Sequence, residues 1–410
     1  MTAPPSKSYT HRAMVLGALT RSQFHLSSPL LSEDTKATLD ALYALGTEFT
    51  SNAKGVMIHC EEFRRAPGTI DARNSGTTMR LIAGLSSLLP FRTTLTGDQS
   101  LIRRPMSPLI DALTQLGAKC EYLGRRGLPP VTIQGPITKP RCEVAADVSS
   151  QFISSLLIAC SQKEGDTSIR LMGETRSRPY VDITIQMLKD FGAEVEEKAD
   201  SLSVRGAQKL RRDSYTVPGD YSSASFPLAA AAITGGEVTV RNLDMDSPQG
   251  DRAMVDHLSA FGASVTVFRD SVKVVGGNLE GTEIDVRHTP DLFPILAVIG
   301  AVSKGRTVLK GGEHLRDKES NRIVTTTAFL RSMGAKVTPT SDGCEIDGVE
   351  RLHGAAVDTA GDHRILMAAA VAGLVASSEV RIEDNDSFNV SYPGFLRDMH
   401  QLGCRMEVRK

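Results

Sequence analysis

The sequence predicts an α+β protein of two globes, each assembled from three copies of one supersecondary unit. Three observations predict it. A glycine-ended phrase recurs six times, a polar phrase recurs six times out of phase with the first, and 410 residues are enough for two domains.

The first phrase is an apolar residue, then Gly, then usually Ala. It reads YALGTEF, TQLGAKCEY, KDFGAEVEE, SAFGASVTV, RSMGAKVTP and HQLGCRMEV. Its glycines are Gly46, Gly117, Gly192, Gly262, Gly334 and Gly403, at spacings of 71, 75, 70, 72 and 69 residues. Helix-like apolar spacing precedes each glycine and alternation follows it. Each copy therefore reads as an amphipathic helix stopped by a glycine, then a strand.

The second phrase is polar and opens an apolar run rich in small residues. KSYTHR, NSGTTMR, DVSSQF, DYSSAS, TPDLFP and DHRIL precede AMVLGAL, LIAGLSSLL, ISSLLIAC, PLAAAAI, ILAVIGAV and MAAAVAGLVA. Runs that are apolar on nearly every side belong to buried helices. Short strands follow them: FHLSSPL, TTLTG, TSIRLMG, EVTVRNL, RTVLKGG and EVRIEDN. One unit is thus a buried helix, a strand, a polar loop, an amphipathic helix and a strand pair.

No single unit can bury a helix that is apolar all round. Three units packing such helices together make one globe of about 200 residues, within domain limits. Two globes follow, residues 6–216 and 217–410, with the boundary in the Pro- and Gly-marked segment 211–219. An open solenoid suits these helices less well, because its stack leaves one face uncovered.

Composition narrows the function. A net charge of −1 excludes the basic excess of nucleic-acid binders. No apolar stretch reaches membrane-span length, and the first residues lack a signal-peptide pattern. The six cysteines are scattered without a CxxC pair, which fits reduced thiols in a cytoplasm better than disulfides or zinc. The histidines form no ligand cluster, so no metal or organic cofactor is expected.

The polar phrases carry the chemistry. If the buried helices of a globe run roughly parallel, their N-termini emerge on one face. Two globes would then aim six helix dipoles at one cleft, an anion site before any side chain is counted. Lys7 and Arg12 stand in a first helical turn, where the dipole disfavours cations. A multiply charged anion lying between them and the dipole explains that placement. The loops repeat the theme with Arg103 and Arg104, with Ser177, Arg178 and Tyr180, and with Arg316, Lys318, Glu319 and Arg322. Lys318 and Arg322, four residues apart, would share a helix face with Glu319 beside them. Arg364 stands at the start of a buried helix. Taken singly, each of these is an ordinary surface charge; their recurrence at matching phases of a repeat argues for a shared site.

PPSKSYTHR, NSGTTMR, VSSQF, the TPD of residues 289–291, LRDKESNR and GDHR, in that order, resemble the motifs of the 3-phosphoshikimate 1-carboxyvinyltransferase family, its archaeal-type branch above all. The resemblance implies two globes of three βαβαββ units, the enolpyruvyl transferase-like inverse α/β barrel, closing like a clamp. It implies transfer of the enolpyruvyl group of phosphoenolpyruvate to the 5-hydroxyl of shikimate 3-phosphate, with release of phosphate, in a monomer that needs no cofactor. By motif match, shikimate 3-phosphate would contact Lys7, Ser8, Arg12, Ser149, Ser150, Gln151, Ser177, Asp291 and Lys318. Tyr180 would pack on its ring. Phosphoenolpyruvate would contact Lys7, Gly76, Arg104, Gln151, Arg322 and Arg364. Asp291 is assigned as the base, shared with Lys7, and Glu319 as the proton donor to C3. Glu319 amid cations acts as an acid only when closure or ligand charge makes it hold a proton.

Four positions depart from the family pattern. His314 stands where bacterial members often have Asn, Val390 where many carry a phosphate-binding Lys, and Leu81 where a Pro is common. Only MTAPP precedes the SKS motif, where most members have a strand that joins the other globe, so one sheet is expected to lack an edge strand. Two other readings compete. The sister enzyme acting on UDP-N-acetylglucosamine carries a loop Cys near Arg103–Arg104 and a KN pair at its start; this chain has DQSLIRRPM and Lys7-Ser8. A non-catalytic phosphosugar-binding repeat protein would share the cations and lack turnover.

Overall fold

The computed structural model describes residues 1–52, 54–384 and 386–408. Twelve α-helices lie among them, and two kinds alternate. The odd-numbered ones are α1 (Lys7–Leu19), α3 (Gly76–Ser86), α5 (Ser150–Gln162), α7 (Tyr221–Thr234), α9 (Phe293–Val302) and α11 (His363–Gly373). These are the buried helices: every residue from Tyr9 to Leu19 and from Phe293 to Ala301 is out of solvent. Small residues let them pack closely. A Cβ on Gly84 of α3 would stand 2.4 Å from Ser155 Oγ and 2.7 Å from the Ser155 carbonyl oxygen of α5.

The even-numbered helices are α2 (Glu33–Ala44), α4 (Ser107–Gln115), α6 (Arg178–Asp190), α8 (Met254–Ala260), α10 (Arg322–Ser332) and α12 (Phe395–Gln401). They are amphipathic. In α2, Ala37, Thr38, Ala41 and Leu42 face inward while Lys36 and Asp40 are exposed. The six recurring glycines follow these helices, two residues past the last helical one, all with φ between +84° and +107°. At the first, Gly46 N–H donates to the Tyr43 carbonyl and Thr47 N–H to the Leu42 carbonyl. That double closure needs a left-handed residue, which glycine supplies without steric cost.

The chain divides into two compact units, Lys7–Val217, and Met1–Ser6 with Pro218–Lys410. Each has its own hydrophobic core. In the four four-stranded sheets, the strand after a buried helix has a parallel neighbour on one side and an antiparallel pair on the other. Thr93–Thr96, for example, lies between Ile70–Asp71 and Val131–Gln134, with Lys119–Tyr122 at the far edge. In the Lys7–Val217 unit the circuit is closed by Ser214–Thr216, which returns to pair in parallel with Gln23–Ser27.

The first residues belong with the Pro218–Lys410 unit. Ser6, assigned to the first globe, belongs to the other unit, where its N–H donates to the Pro218 carbonyl at 2.8 Å. The sheet expected to lack an edge strand has an isolated bridge at that edge in place of one. Thr2 pairs in parallel with Arg241, Ala3 N–H reaches the Arg241 carbonyl, and the terminal ammonium donates to the Thr239 carbonyl at 2.8 Å. The sixth repeat is also reduced. Its sheet is Ala356–Val357 with Arg381–Ile382, and no strand follows Gly403 among the described residues. Among those residues no helix is long and apolar enough to cross a membrane.

Candidate active site

In the Lys7–Val217 unit the sequence-predicted residues gather at the amino ends of α1, α3 and α5 and at the start of α6. Lys7 opens α1, and its Nζ donates to Asp34 Oδ2 at 2.8 Å, in the first turn of α2. An anionic ligand is therefore not the only answer to a lysine in that turn, because Asp34 already supplies a counter-charge. Ser8 follows in the same turn and offers its carbonyl to Arg12 Nη1 at 2.9 Å.

Arg12 is 2% exposed. Its other hydrogen bonds go to Thr184 Oγ1 at 2.7 Å, Ser154 Oγ at 3.1 Å and the Tyr180 carbonyl at 2.9 Å. All of these acceptors are neutral, and among the described residues no carboxylate lies at ion-pair distance. Burial accordingly pulls Arg12 down to about 10, against the weak upward pull of Tyr180 and Tyr9. A buried cation without a counter-charge is unfavourable, and an arriving anion relieves it.

Ser149 caps α5, its Oγ accepting from Gln151 N–H. Ser150 is buried just inside the helix. Gln151 Nε2 donates to Thr77 Oγ1 at 3.0 Å, which ties α5 to the start of α3. Gly76 lies between Arg104 and Gln151: a Cβ there would stand 3.4 Å from Arg104 Nη1 and from Gln151 Oε1, and 2.4 Å from Arg80 Nη1. Arg104 is buried and donates to Asn74 Oδ1 at 2.7 Å and Ser100 Oγ at 3.0 Å. Ser177 is buried at the start of α6 with φ +51° and ψ +41°, a left-handed conformation that disfavours a side chain. Such backbone strain, of order 1–3 kcal/mol, concentrates at functional positions.

In the Pro218–Lys410 unit one guanidinium organises the set. Arg322 is 1% exposed and meets three carboxylates: Asp362 Oδ2 through Nε at 2.9 Å, Asp291 Oδ1 through Nη1 at 2.6 Å and Glu319 Oε2 through Nη2 at 2.8 Å. Burial opposes its charge, yet Asp362, Glu319 and Asp291 hold it well above its ordinary value. Arg364 reaches Asp291 Oδ2 at 3.2 Å. Burial would raise the Asp291 carboxyl, but Arg364, Arg322 and Lys318 hold it well below the usual carboxylate range. The starts of α9, α10 and α11 are thus joined through Asp291, Arg322 and Arg364.

The expected helix face shared by Lys318 and Arg322 is not there. Lys318 lies in extended backbone after the 3-10 turn Glu313–Asp317, and α10 begins only at Arg322, capped by Asn321. Glu319 meets Arg322 across this non-helical turn. His314 is buried in the 3-10 segment, Val390 ends another 3-10 turn, Ser387–Val390, and Leu81 is buried within an unbroken α3.

Two acids and an amide that hold these cations are not marked as their partners by the repeat in the sequence. They are Asp34, in the first turn of α2, and Asp362 and Asn74, inside the polar phrases. They fell outside the assignment because it counted donors for anions and not the partners those donors need beforehand. Asp220 and Asp251, also buried in this unit, were passed over for the same reason.

Buried arginines, hydroxyls and helix N-termini, repeated on one supersecondary unit, define a class of protein that handles small, multiply charged anions. Comparison with known proteins specifies it. The family model for EPSP synthase (3-phosphoshikimate 1-carboxyvinyltransferase) matches residues 1–399. The 3-phosphoshikimate 1-carboxyvinyltransferase of Methanocorpusculum labreanum is 46% identical over 408 residues, 98% of this chain and 96% of the relative. That of Methanocella arvoryzae is 44% identical over 410 residues, 99% and 96% of the two chains. The solved EPSP synthase of Acinetobacter baumannii superposes with a TM-score of 0.83 at 31% identity, covering 100% of this chain and 96% of that one. The chain belongs to the EPSP synthase family.

Proposed function

We infer that the protein transfers the enolpyruvyl group of phosphoenolpyruvate to the 5-hydroxyl of shikimate 3-phosphate by addition and elimination, releasing phosphate. The reaction is a step of the shikimate pathway to the aromatic amino acids. The observation that carries this reading is the Asp291–Arg322–Glu319–Arg364 cluster, found in a chain that matches the family from its first residues to residue 399. The two ligands together bring about five to six negative charges, counting each phosphate monoester at about −1.5 to −2 and each carboxylate at about −1. Two like charges about 6 Å apart repel by roughly 3 kcal/mol at an effective dielectric near 20. A site that holds both needs dense cations and N–H donors.

Shikimate 3-phosphate is assigned to Lys7, Ser8, Arg12, Ser149, Ser150, Gln151, Ser177, Asp291 and Lys318. Arg12, buried without an acid, favours an anion strongly. Phosphoenolpyruvate is assigned to Lys7, Gly76, Arg104, Gln151, Arg322 and Arg364. Gly76 lets backbone approach the ligand where a side chain would collide with Arg80. Arg322 can turn to a ligand only as its carboxylate partners yield.

Asp291 accepts the proton of the 5-hydroxyl as that oxygen attacks C2, and Glu319 delivers a proton to C3. In the elimination Glu319 takes a proton back from C3 as the C2–O bond to phosphate breaks, the O5–C2 bond stays, and the proton held by Asp291 leaves with phosphate or to solvent. With Arg364 and Arg322 drawn onto it, Asp291 is a weak base. Ligand carboxylate and phosphate compete for those cations, and Asp291 gains basicity as they do. Lys7 stabilises charge at the attacked centre. The protein works as a monomer in a reducing cytoplasm, which its six unpaired cysteines suit.

A phosphate-release assay with phosphoenolpyruvate and shikimate 3-phosphate tests the reading. Release that requires both ligands is expected; binding of both without release would make the protein a phosphosugar binder.

A further inference from the structure

Asp251 is a buried acid that the reaction above does not use. It lies in the 3-10 turn Gly250–Ala253, 4% exposed. One carboxyl oxygen, Oδ2, accepts a hydrogen bond from Ser222 Oγ in the first turn of α7. The other, Oδ1, has no hydrogen-bond partner among the described residues. The charged groups that act on it are Asp291, ahead of α9, Arg364 of α11 and Asp220, the cap of α7. From its own turn, Arg252 points away and donates to the Met245 carbonyl. From α8, Asp256 acts on His257.

The count of charge around it is unfavourable. Of the charged groups that act on it, two are acids, Asp291 and Asp220, and one is a cation, Arg364. Asp362, Glu319 and Asp291 each accept directly from a guanidinium, whereas Asp251 has a hydroxyl alone. A buried carboxyl in that position keeps its proton more readily than one in water does.

We propose that Asp251 is a positioning residue that governs phosphoenolpyruvate affinity: as a neutral acid it adds no charge beside Arg364 and Asp291, and as a carboxylate it opposes the incoming anion. Burial, then the Asp291 charge, pushes this carboxyl up to about 7, against the pull of Arg364 and Ser222. Its ionisation therefore falls in the working range. The proposal rests on the assignment of Arg364 to phosphoenolpyruvate.

The test is the KM for phosphoenolpyruvate at pH 6 and pH 8.5, at saturating shikimate 3-phosphate, in the full-length protein and in Asp251→Asn. The amide copies the neutral acid and cannot ionise. The rise in KM from pH 6 to 8.5 should be at least about fivefold smaller in the variant, with kcat moving far less, since a charge near the ligand acts on binding. The ligand's own ionisation is common to both proteins and cancels. Ser222→Ala gives a second arm: without the hydroxyl that favours the carboxylate, the rise should move to higher pH. Equal KM ratios in wild type and Asp251→Asn, or an unmoved rise in Ser222→Ala should Asp251→Asn fail to fold, would overturn the proposal. A wild-type protein that releases no phosphate would instead overturn the transferase reading.

Discussion

Arg322 and Asp362 form a fully buried ion pair, Nε to Oδ2 at 2.9 Å, with 1% and 0% of their side chains exposed. Asp362 also caps α11, its Oδ1 accepting from Arg364 N–H at 3.0 Å. One carboxylate thus fixes the guanidinium that carries Asp291 and Glu319 and sets the helix from which Arg364 reaches Asp291.

Removing that carboxylate should destabilise the protein before it affects any ligand. Asp362→Ala leaves a buried guanidinium short of a partner and α11 short of its cap. Breaking a buried pair on one side costs about 3–5 kcal/mol. At about 2–4 °C per kcal/mol for a domain of this size, the melting midpoint of this half should fall by roughly 6–20 °C. Thermal melts followed by circular dichroism measure it. A midpoint within 2 °C of wild type would show that Asp362 neither fixes Arg322 nor holds α11.

Glu319 separates structure from chemistry. Glu319→Gln keeps an oxygen that can accept from Arg322, so the cluster should stand and both ligands should bind. The amide cannot carry a proton to C3, and turnover should drop at least about 100-fold. Calorimetric titration beside steady-state rates distinguishes the two effects. Near-normal turnover would remove Glu319 from the mechanism.

Arg12 should show the opposite balance. Its acceptors are neutral and lie within hydrogen-bond reach of one another: Thr184 Oγ1 stands 2.8 Å from Ser154 Oγ and 2.9 Å from the Tyr180 carbonyl, and its one proton can go to either. Arg12→Met removes an uncompensated buried charge and leaves those groups partnered. Without ligand, its stability should lie within about 1 kcal/mol of wild type or above it. The rise in melting midpoint that shikimate 3-phosphate gives wild type should be lost. A variant that still gains a full shift would show that Arg12 is no part of the anion site.

The repeat was legible in the sequence because both its marks have backbone causes. A helix that must turn into a strand needs a left-handed residue, so Gly46, Gly117 and their four counterparts recur in register. A helix enclosed by others cannot afford a polar face, so the runs after each polar phrase are apolar. Of the cations proposed for the site, Lys7, Arg12 and Arg364 stand in those phrases, and Arg104 and Lys318 stand in the loops between strand and helix, with Arg322 opening α10. Their connections were not legible. Arg322 touches Asp291 and Asp362, 31 and 40 residues away, and Arg12 touches Ser154 and Thr184, 142 and 172 residues away. No local pattern encodes such a pairing. The supposed helix face of Lys318 and Arg322 failed for a related reason: Asn321 caps α10, so the helix starts one turn later than the charge spacing suggested.

The pH dependence of stability follows from Asp291. Its folded-state carboxyl is held below the ordinary value by Arg364, Arg322 and Lys318, against burial. A depressed carboxyl stabilises the fold at pH values above about 3.9, its ordinary pKa, and loses that contribution as the pH falls toward the folded value. Asp291→Asn loses charge-assisted hydrogen bonds to two guanidinium groups, together roughly 2 kcal/mol near neutral pH. The melting midpoint should therefore lie about 4–8 °C below wild type at pH 7 and pH 5. Below pH 4 the gap should close, because wild type then surrenders the same contribution by protonation. Other acids titrate in that range too, but they are common to both proteins and leave the difference unaffected. Paired melts at pH 7, 5, 4 and 3 decide the matter. A gap that stays constant to pH 3, or that widens as the pH falls, would mean that Arg322 and Arg364 do not depend on the Asp291 charge.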